Sequence, residues 1–306
     1  MKKIILTFIV VLCTGLGIEA QQLNVATYNL RNANRGDSTN GNGWGQRYPV
    51  IADLVQFHDF DIFGTQECKH HQLEDLTQAM PQYAYIGIGR DDGKQAGEYS
   101  AIFYKKDKFK VLDHGDFWLS TDTSRPNKGW DAALPRICTW GIFKEKKSGF
   151  TFMFFNLHMD HVGVEARKES AKLILAKIKE TGGKLPVILT GDFNVDQTNE
   201  SYLLLHDSGI LRDSYEAAQF RYATNGTFNS FNPNLKTDSR IDHVFISKQF
   251  TVKKYGVLTD TYRSEVSESQ KEIKSGNFPK EVSLHKYQAR TPSDHFPVMV
   301  VLTYKK

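Results

Sequence analysis

Residues 186–194 read PVILTGDFN, an apolar, β-rich run that ends on a carboxylate, Asp192, and a carboxamide, Asn194. The pattern predicts a strand over residues 186–190, and side chains two residues apart at a strand end can point to the same side. Acidic side chains almost never end a buried apolar run without a partner. This strand end is therefore a candidate for chemistry, although GDFN on its own would form a turn more often than a site.

Five further segments share this design, with a polar side chain at the end or the start of an apolar strand. They are VATYN ending on Asn29, FGTQE ending on Glu67, FNLH ending on His158, RIDHVF containing Asp242, and SDH containing Asp294 and His295. In an antiparallel sheet, the start of one strand lies on the same rim as the end of its neighbour. We therefore expect the six segments to converge on one rim.

Short β-rich runs alternate with a few helices along the rest of the chain. Strands are predicted at residues 23–28, 61–65, 83–88, 100–104, 137–143, 151–157, 186–190, 241–246 and 297–304. Helices are predicted at residues 48–57, with Pro49 in the first turn, 164–180 and 200–205. Many closely spaced strands with few helices indicate an α/β fold of two packed, largely antiparallel sheets with helices outside.

The composition is ordinary for a globular protein. The 306 residues are 40% apolar and 24% charged, with 23 glycines and 9 prolines, which argues against a disordered, collagen-like or disulfide-stapled chain. The formal charge is +4 and the basic residues are scattered, which disfavours a nucleic-acid packaging protein. No linker or repeat divides the chain, so residues 21–306 are expected to form one domain, and we expect a monomer.

The first twenty residues have the parts of a secretory signal peptide in the usual order. Lys2 and Lys3 precede an apolar run over residues 4–16, and Ala20 supplies a small residue just before Gln21. The run is too short to span a bilayer, and the alternative is a buried N-terminal strand or helix. We expect cleavage near Gln21, a secreted or periplasmic protein, and no transmembrane segment.

Two cysteines, Cys68 and Cys138, remain after cleavage. Each lies in an apolar, strand-like run, so both are interpreted as buried thiols. Their spacing alone does not establish whether they pair.

The predicted rim concentrates charge. Four carboxylates, those of Glu67, Asp192, Asp242 and Asp294, would approach one another beside two histidines, which is costly unless a cation or an imidazolium offsets it. The neighbouring ligand atoms are hard oxygens and no cysteine cluster accompanies them. This donor set suits Mg²⁺, with Mn²⁺ as an alternative, better than zinc.

The complete set of motifs resembles the endonuclease/exonuclease/phosphatase superfamily, which includes pancreatic-type deoxyribonuclease, neutral sphingomyelinases and inositol polyphosphate 5-phosphatases. The motifs are Tyr28-Asn29, Gln66-Glu67, Asn156-Leu157-His158, Gly191-Asp192-Phe193-Asn194, Arg240-Ile241-Asp242-His243 and Ser293-Asp294-His295. The resemblance covers residues 23–304 in the family's motif order. It implies a four-layer α/β sandwich and divalent-metal-dependent cleavage of phosphate esters, as in secreted bacterial members of the family.

The resemblance also implies roles for individual residues. Glu67 resembles the principal metal ligand, with Asn29 and Asp294 close to the metal or its waters. Asp192 would orient or deprotonate the attacking water, and His295 would act with Asp242. The positions that resemble phosphate contacts are Asn194, His158 and Arg136.

Several alternatives stay open at this point. Either Asp192 or the His295–Asp242 pair is the general base, Asp160 either reaches the substrate or caps a helix, and His243 is interpreted as packing. The favoured function is a nuclease-like phosphodiesterase. The alternatives are a phosphomonoesterase acting on a phosphorylated sugar, inositol or lipid headgroup, and an inactive ligand-binding module on the same scaffold.

We expect three loops to frame the pocket, the first of them directly after Asn29. Residues 31–47 form a long polar segment that should overhang the metal, with residues 91–98 and 121–133 as further framing loops. Trp44, Trp118 and Trp130 are candidates to stack on a base or a sugar, while buried loop anchors are the expected use of at least two of them.

Overall fold

Two β-sheets packed face to face form the centre of the computed structural model, which describes residues 21–182, 184–222, 225–273 and 279–304. The predicted signal peptide, residues 1–20, lies outside the described residues. Among the described residues, no helix combines the length and the apolar character needed to cross a membrane.

The strands and helices follow one another closely along the chain. The strands are β1 (Gln21–Asn29), β2 (Ile62–Gln66), β3 (Tyr83–Ile86), β4 (Ile102–Lys105), β5 (Phe109–Trp118), β6 (Ile137–Glu145), β7 (Thr151–His158), β8 (Val187–Asp192), β9 (Arg212–Asp213), β10 (Phe220–Tyr222), β11 (Asp242–Ile246), β12 (Phe250–Val257), β13 (Tyr262–Glu265), β14 (Glu272–Ile273), β15 (Leu284–His285), β16 (Tyr287–Arg290) and β17 (Val298–Tyr304). The helices are α1 (Arg35–Thr39), α2 (Trp44–Phe57), α3 (His70–Ala79), α4 (Val164–Gly182), α5 (Glu200–His206) and α6 (Ser214–Ala217).

The first sheet has seven strands in the order β10-β12-β17-β1-β2-β4-β3, and the second has six in the order β5-β6-β7-β8-β11-β9. Most neighbours are antiparallel, but β1 is parallel to β2, β7 to β8 and β10 to β12. Two short hairpins, β13–β16 and β14–β15, complete the described strands.

Three apolar clusters separate four layers. One lies between the sheets and includes Val25, Phe143 and Val300. A second joins the seven-stranded sheet to α2 and α3, and a third joins the six-stranded sheet to α4 and α5. The order helix, sheet, sheet, helix confirms the four-layer α/β sandwich, because each sheet buries both faces.

The two sheets are also joined by a polar contact. Gly64 in β2 faces Asn156 in β7, and a Cβ at Gly64 would lie 2.1 Å from Asn156 Oδ1. Asn156 Oδ1 accepts from Gln66 Nε2 at 2.7 Å and from Thr190 Oγ1 at 3.0 Å. Glycine therefore leaves room for a buried carboxamide that connects β2 with β7 and β8.

The element predictions were right for the long periodic segments and wrong at some ends. The helix predicted at residues 48–57 begins at Trp44, which places Pro49 in its second turn rather than its first. The extension forms because Trp44 and Arg47 are buried there. Helix α3 and strands β5 and β12 were not predicted, since each has an exposed, charged face and a thin apolar stripe.

Cys68 and Cys138 are both fully buried and free, which confirms the interpretation of both as buried thiols. Burial raises the pKa of both thiols. Neither thiol is poised to act as a nucleophile, since the thiolate is the reactive form.

Candidate active site

Strand register brings the predicted rim together. Asn29 at the end of β1 pairs with Gln66 at the end of β2, which places Glu67 next. In the other sheet His158 pairs with Asp192, because β7 and β8 are parallel. Asp242 begins the antiparallel strand β11 and also pairs with Asp192.

All nine residues singled out from the sequence lie in or beside one cavity of ≈ 560 Å³. Those that line it are Glu67, Arg136, His158, Asp192, Asn194, Asp294 and His295. Asn29 and Asp242 lie behind this surface, each fully buried and in hydrogen-bond contact with a residue that lines it.

Asn29 holds two carboxylates in place. Its Nδ2 donates to Glu67 Oε1 at 3.0 Å and to Asp192 Oδ2 at 2.9 Å. Its Oδ1 accepts from the backbone N–H of Arg31 at 3.0 Å. In this arrangement Asn29 orients Glu67 and Asp192 through its amide nitrogen, and its oxygen faces a site cation only if the carboxamide turns over.

Both carboxylate oxygens of Asp192 accept a hydrogen bond. Its Oδ1 accepts from the backbone N–H of Asn194 at 2.9 Å, while Asn29 supplies the donor for Oδ2. Asn194 reaches it with a backbone φ of +52°, in the left-handed region that non-glycine residues rarely adopt. Burial, and next the neighbouring Asp242 carboxylate, raise the pKa of Asp192.

His295 and Asp242 form a buried pair. His295 Nδ1 donates to Asp242 Oδ2 at 2.9 Å, and its Nε2 lies 3.8 Å from Asp192 Oδ2. Burial opposes the charged imidazolium, but the two carboxylates outweigh it and raise the pKa of His295 well above its usual range. Asp242 Oδ1 is buried and has no hydrogen-bond partner within the described part of the chain.

His158 differs from His295 in its charge environment. Its Nε2 lies 3.1 Å from Asn194 Nδ2 and 3.6 Å from Asp192 Oδ2. Burial, followed by the positive charge of Arg136, lowers the pKa of His158 well below its usual range. The rim therefore holds one neutral imidazole beside one that favours the charged form.

Arg136 opens strand β6 and is held by the loop that follows β7. Its Nε donates to Asp160 Oδ2 at 3.1 Å and its Nη2 to His161 Nδ1 at 2.9 Å. Asp160 Oδ1 also accepts backbone N–H groups of Ala133, Val162 and Gly163. Asp160 is therefore a capping residue that positions Arg136, which decides between the two roles left open for it.

The cavity also contains residues that the sequence analysis did not select. Arg31 Nη1 lies 3.6 Å from Asp294 Oδ2 and 3.9 Å from Glu67 Oε2. Phe228, Ser230 and Phe231 line the cavity beside His295. They follow no apolar strand, so the strand-end pattern carries no signal for them.

Beneath these loops lies Arg47, whose side chain is fully buried. It donates to the carbonyl oxygens of Leu30 at 2.8 Å, Arg31 at 3.1 Å, Asn42 at 2.9 Å and Pro292 at 3.0 Å. One guanidinium thus ties the segment after β1 to the segment that carries Asp294. A lone arginine within a helix gives no sequence signal for this role.

The structure also shows the roles of His243 and of two of the tryptophans, all of which are packed side chains. His243 is buried and its Nε2 contacts the Val195 carbonyl oxygen at 3.0 Å, so it packs and does not reach the cavity. Trp44, the first residue of α2, and Trp118, the last residue of β5, are both buried, and they donate to Asp75 Oδ2 and to the Arg90 carbonyl oxygen, both at 2.8 Å. They therefore act as buried anchors, as expected of at least two of the three tryptophans.

Two sets of side chains have the geometry to share a cation. Ligand atoms of Glu67, His158 and Asp192 all lie within 4.8 Å of one another, as do those of Asp192, Asp242 and His295. Asp294 lies close by, and burial is the main cause that raises the pKa of its carboxyl. In the second set the His295 imidazole, bonded to Asp242, already offsets part of the negative charge of the carboxylates. The first set, which contains Glu67, lacks such a group and is therefore the better candidate to bind a cation.

Comparison with known proteins places this geometry in a family. Residues 26–295 match the model of the Endonuclease/Exonuclease/phosphatase family. A family protein from Bacteroides thetaiotaomicron is 60% identical, with 94% of this chain and 100% of that chain covered and a TM-score of 0.87. A mannosyl-6-phosphatase from the same species is also 60% identical, with coverage of 92% and 100% and a TM-score of 0.85.

A more distant relative, a family protein from Bacteroides vulgatus, is 36% identical over 93% of this chain and 100% of that chain, with a TM-score of 0.79. The family match covers most of the chain, and the TM-scores of these relatives agree with the fold described above. The chain therefore belongs to the endonuclease/exonuclease/phosphatase family of phosphate ester hydrolases.

Proposed function

We propose that this protein is a divalent-metal-dependent phosphomonoesterase that removes the 6-phosphate from a mannose-type hexose phosphate. The observation that carries the proposal is the cavity, which gathers the hydrolytic side chains around ≈ 560 Å³ of space. Cavities of this size suit small ligands. A single phosphorylated sugar fits such a cavity better than a nucleic-acid strand does.

Charge and similarity support the same substrate class. The described residues that line the cavity include two arginines, Arg31 and Arg136, beside a larger number of carboxylates and amides. A nucleic-acid binder needs an extended basic track, whereas the hydroxyl groups of a sugar pair well with carboxylates and amides. The relative that is 60% identical and is named a mannosyl-6-phosphatase supports a hexose 6-phosphate in particular.

The donor set fits Mg²⁺ or Mn²⁺. Glu67 and Asp294 offer hard carboxylate oxygens, and Asn29 offers an amide oxygen once its carboxamide turns over. When bound there, the ion would polarise a phosphoryl oxygen and stabilise negative charge that develops on the leaving oxygen.

Asp192 and His295 would act on the attacking water. Asn29 and the Asn194 backbone fix the orientation of the Asp192 carboxylate, while Asp242 fixes the orientation of the His295 ring. Because the neighbouring carboxylates raise the pKa of His295, its imidazole keeps its proton, and Asp192 would accept the proton that the water releases. His295 Nε2, 3.8 Å from Asp192 Oδ2, would offset the charge of that carboxylate. We assign the general base to this Asp192–His295–Asp242 unit.

His158, Asn194 and Arg136 would hold the phosphate. They line the cavity next to Asp192 and present an imidazole, a carboxamide and a guanidinium. Donors of this kind stabilise the transition state most, because charge on the non-bridging oxygens changes there. Within the described residues Arg136 Nη1 has no hydrogen-bond partner, since Nε and Nη2 are the atoms that contact Asp160 and His161.

A hydrolysis panel tests the proposal. Wild-type protein with Mg²⁺ should release inorganic phosphate from mannose 6-phosphate and leave bis-p-nitrophenyl phosphate and DNA intact, and EDTA should abolish the release. Glu67→Gln and Asp192→Asn should lose the activity, whereas His206→Gln, at a half-buried histidine that does not line the cavity, should keep it. Cleavage of the diesters without phosphate release from any hexose phosphate would overturn the monoesterase in favour of the phosphodiesterase.

We also propose that the enzyme works outside the cytoplasm as a monomer after removal of residues 1–20. Mass spectrometry of protein recovered from the periplasm or medium should give a chain that starts near Gln21. Size-exclusion chromatography with light scattering should give the mass of one chain, and a dimer mass or an intact Met1 would contradict this.

A further inference from the structure

Arg31 places a positive charge against the two carboxylates that we assign to the metal. Its Nη1 lies 3.6 Å from Asp294 Oδ2 and 3.9 Å from Glu67 Oε2. The side chains of both carboxylates are largely buried, with exposed fractions of 8% and 13%. A divalent cation and a guanidinium carry charge of the same sign, so they compete for these oxygens.

The backbone of Arg31 is fixed on both sides. Its φ is +56°, a conformation that persists only where the surroundings impose it. The N–H donates to Asn29 Oδ1 at 3.0 Å, and the carbonyl oxygen accepts from Arg47 Nη2 and Gln72 Nε2, both at 3.1 Å. The side chain keeps 34% of its surface exposed, so any displacement of the guanidinium occurs by rotation of the side chain.

A third carboxylate gives the guanidinium a place to which it can withdraw. Arg31 Nε donates to Asp37 Oδ2 at 2.9 Å. Asp37 is itself held by Asn34, whose Nδ2 donates to Asp37 Oδ2 at 2.5 Å and whose Oδ1 accepts from the Asp37 N–H at 2.9 Å. Loss of the contacts with Glu67 and Asp294 would therefore leave Arg31 paired with Asp37.

We propose that Arg31 is an internal counter-ion that competes with the divalent cation for Glu67 and Asp294, withdraws to Asp37 when the cation binds, and so sets the metal affinity of the enzyme. The inference rests on the metal assignment made above and is independent of the identity of the substrate. Arg31 is a positioning residue in this account, because it acts through the two carboxylates.

Isothermal titration of the full chain with Mn²⁺, without substrate, tests this competition. Arg31→Gln should bind Mn²⁺ about five- to tenfold more tightly than wild type, since one competing charge is gone. Arg35→Gln is the matched control, because Arg35 is exposed at the start of α1, four residues after Arg31, and forms no ion pair with Glu67 or Asp294 within the described residues. It should bind Mn²⁺ with nearly wild-type affinity.

A double-mutant cycle tests the role of Asp37. Asp37→Asn should weaken Mn²⁺ binding, because the guanidinium then holds more strongly to Glu67 and Asp294. The same substitution in the Arg31→Gln background should have a smaller effect, since its action through Arg31 is lost. Equal effects in both backgrounds would show that Asp37 does not act through Arg31.

Thermal unfolding gives a readout that does not depend on catalysis. In EDTA, Arg31→Gln should have a lower Tm than wild type, because Glu67 and Asp294 lose their counter-ion, and saturating Mn²⁺ should raise its Tm by more than it raises that of wild type. Circular dichroism verifies that the variant is folded.

The result that overturns the proposal is a folded Arg31→Gln variant with unchanged or weaker Mn²⁺ affinity. Absence of Mn²⁺ binding by wild type would overturn both this inference and the metal assignment. Failure of the hexose phosphate panel, with Mn²⁺ binding and the Arg31 effect intact, would refute the substrate and leave the counter-ion in place.

Discussion

Replacing Asn156 by leucine should disconnect the two sheets beneath the site. Asn156 is fully buried in β7 and faces Gly64 of β2. Its Nδ2 donates to the Thr65 carbonyl oxygen at 2.8 Å and to the Ala101 carbonyl oxygen at 3.0 Å. Together with the two donors that its Oδ1 accepts, the carboxamide makes four hydrogen bonds, while leucine has a similar volume and makes none.

The expected loss of stability depends on which hydrogen bonds the partners of Asn156 keep after the substitution. Gln66 Nε2 keeps its bond to Thr27 Oγ1 at 3.0 Å, and Thr190 Oγ1 keeps the Phe155 carbonyl oxygen at 3.3 Å. Each of the four lost hydrogen bonds therefore lowers the free energy of unfolding by about 1 kcal/mol, the usual net contribution of a hydrogen bond. The larger desolvation penalty of a buried group left without any partner does not apply. The apolar surface of leucine recovers about 1 kcal/mol, so we expect a net loss of about 3 kcal/mol.

Urea unfolding followed by fluorescence measures this loss as a lower midpoint at an unchanged slope. The matched control is Asn234→Leu at an exposed position, which should change the free energy of unfolding by less than about 0.5 kcal/mol. Because Asn156 bonds to Gln66, the residue before Glu67, the folded Asn156→Leu protein should also bind Mn²⁺ more weakly. An unfolding free energy equal to that of wild type would refute the role of Asn156 in joining the sheets.

Three further predictions concern the same framework. Gly64→Ala places a methyl group 2.1 Å from the carboxamide oxygen opposite, so urea unfolding should show a loss of about 1–3 kcal/mol, and full stability would contradict the overlap. Burial would raise the pKa of Asp160, but hydrogen bonds from backbone N–H groups and Arg136 outweigh it and hold this pKa below its usual 3.8. The ionised carboxylate therefore stabilises the folded protein fully above pH 3.8, and this contribution is lost as the pH falls through the lowered pKa. Asp160→Asn should therefore cost about 2 kcal/mol at pH 7 and progressively less below pH 3.8, and a pH-independent cost would argue against this. Cys68 and Cys138 should resist iodoacetamide in the folded protein and react in urea, as mapped by mass spectrometry, and rapid labelling of either native thiol would contradict its burial.

The rim could be located from the sequence because its residues lie at the ends of strands, and apolar strands are recognisable in the sequence. Glu67, His158 and Asp192 each end or follow an apolar run, so the rim on which they lie is set by where a strand ends and by which strands are neighbours. The φ of +67° at Glu67 is a further local feature that the run does not predict. The register pairs His158 with Asp192 and Asp192 with Asp242, as an alternation of parallel and antiparallel strands requires. The prediction of two packed sheets followed from the same runs.

The loops were not predictable in this way. Arg31, Ser230 and Phe231 have φ values of +56°, +53° and +58°, conformations that local sequence disfavours and that tertiary contacts impose. Arg47 supplies one such contact, because its guanidinium binds the Arg31 carbonyl oxygen and lies 5.4 Å from the Phe231 ring centroid. Its carbonyl partners are Leu30, Arg31 and Asn42 on the preceding segment and the distant Pro292, and backbone carbonyls leave no residue-type pattern that could encode them.

This division between strands and loops also bears on substrate choice. In the proposed mechanism, the groups at the strand ends, Asp192, Asp242 and His158, would act on a phosphorus centre in the same way whether the ester is a monoester or a diester. Discrimination must then come from the walls of the cavity, which Arg31, Arg136 and the segment containing Phe228 and Phe231 provide. A monoester carries more negative charge than a diester, so it gains more from positive charge near the phosphate. When Arg31 withdraws to Asp37, which also lines the cavity, the bound cation takes its place beside Glu67 and Asp294. The positive charge that favours a monoester would then come from the cation together with Arg136, so the choice of a monoester depends on the same exchange that sets the metal affinity.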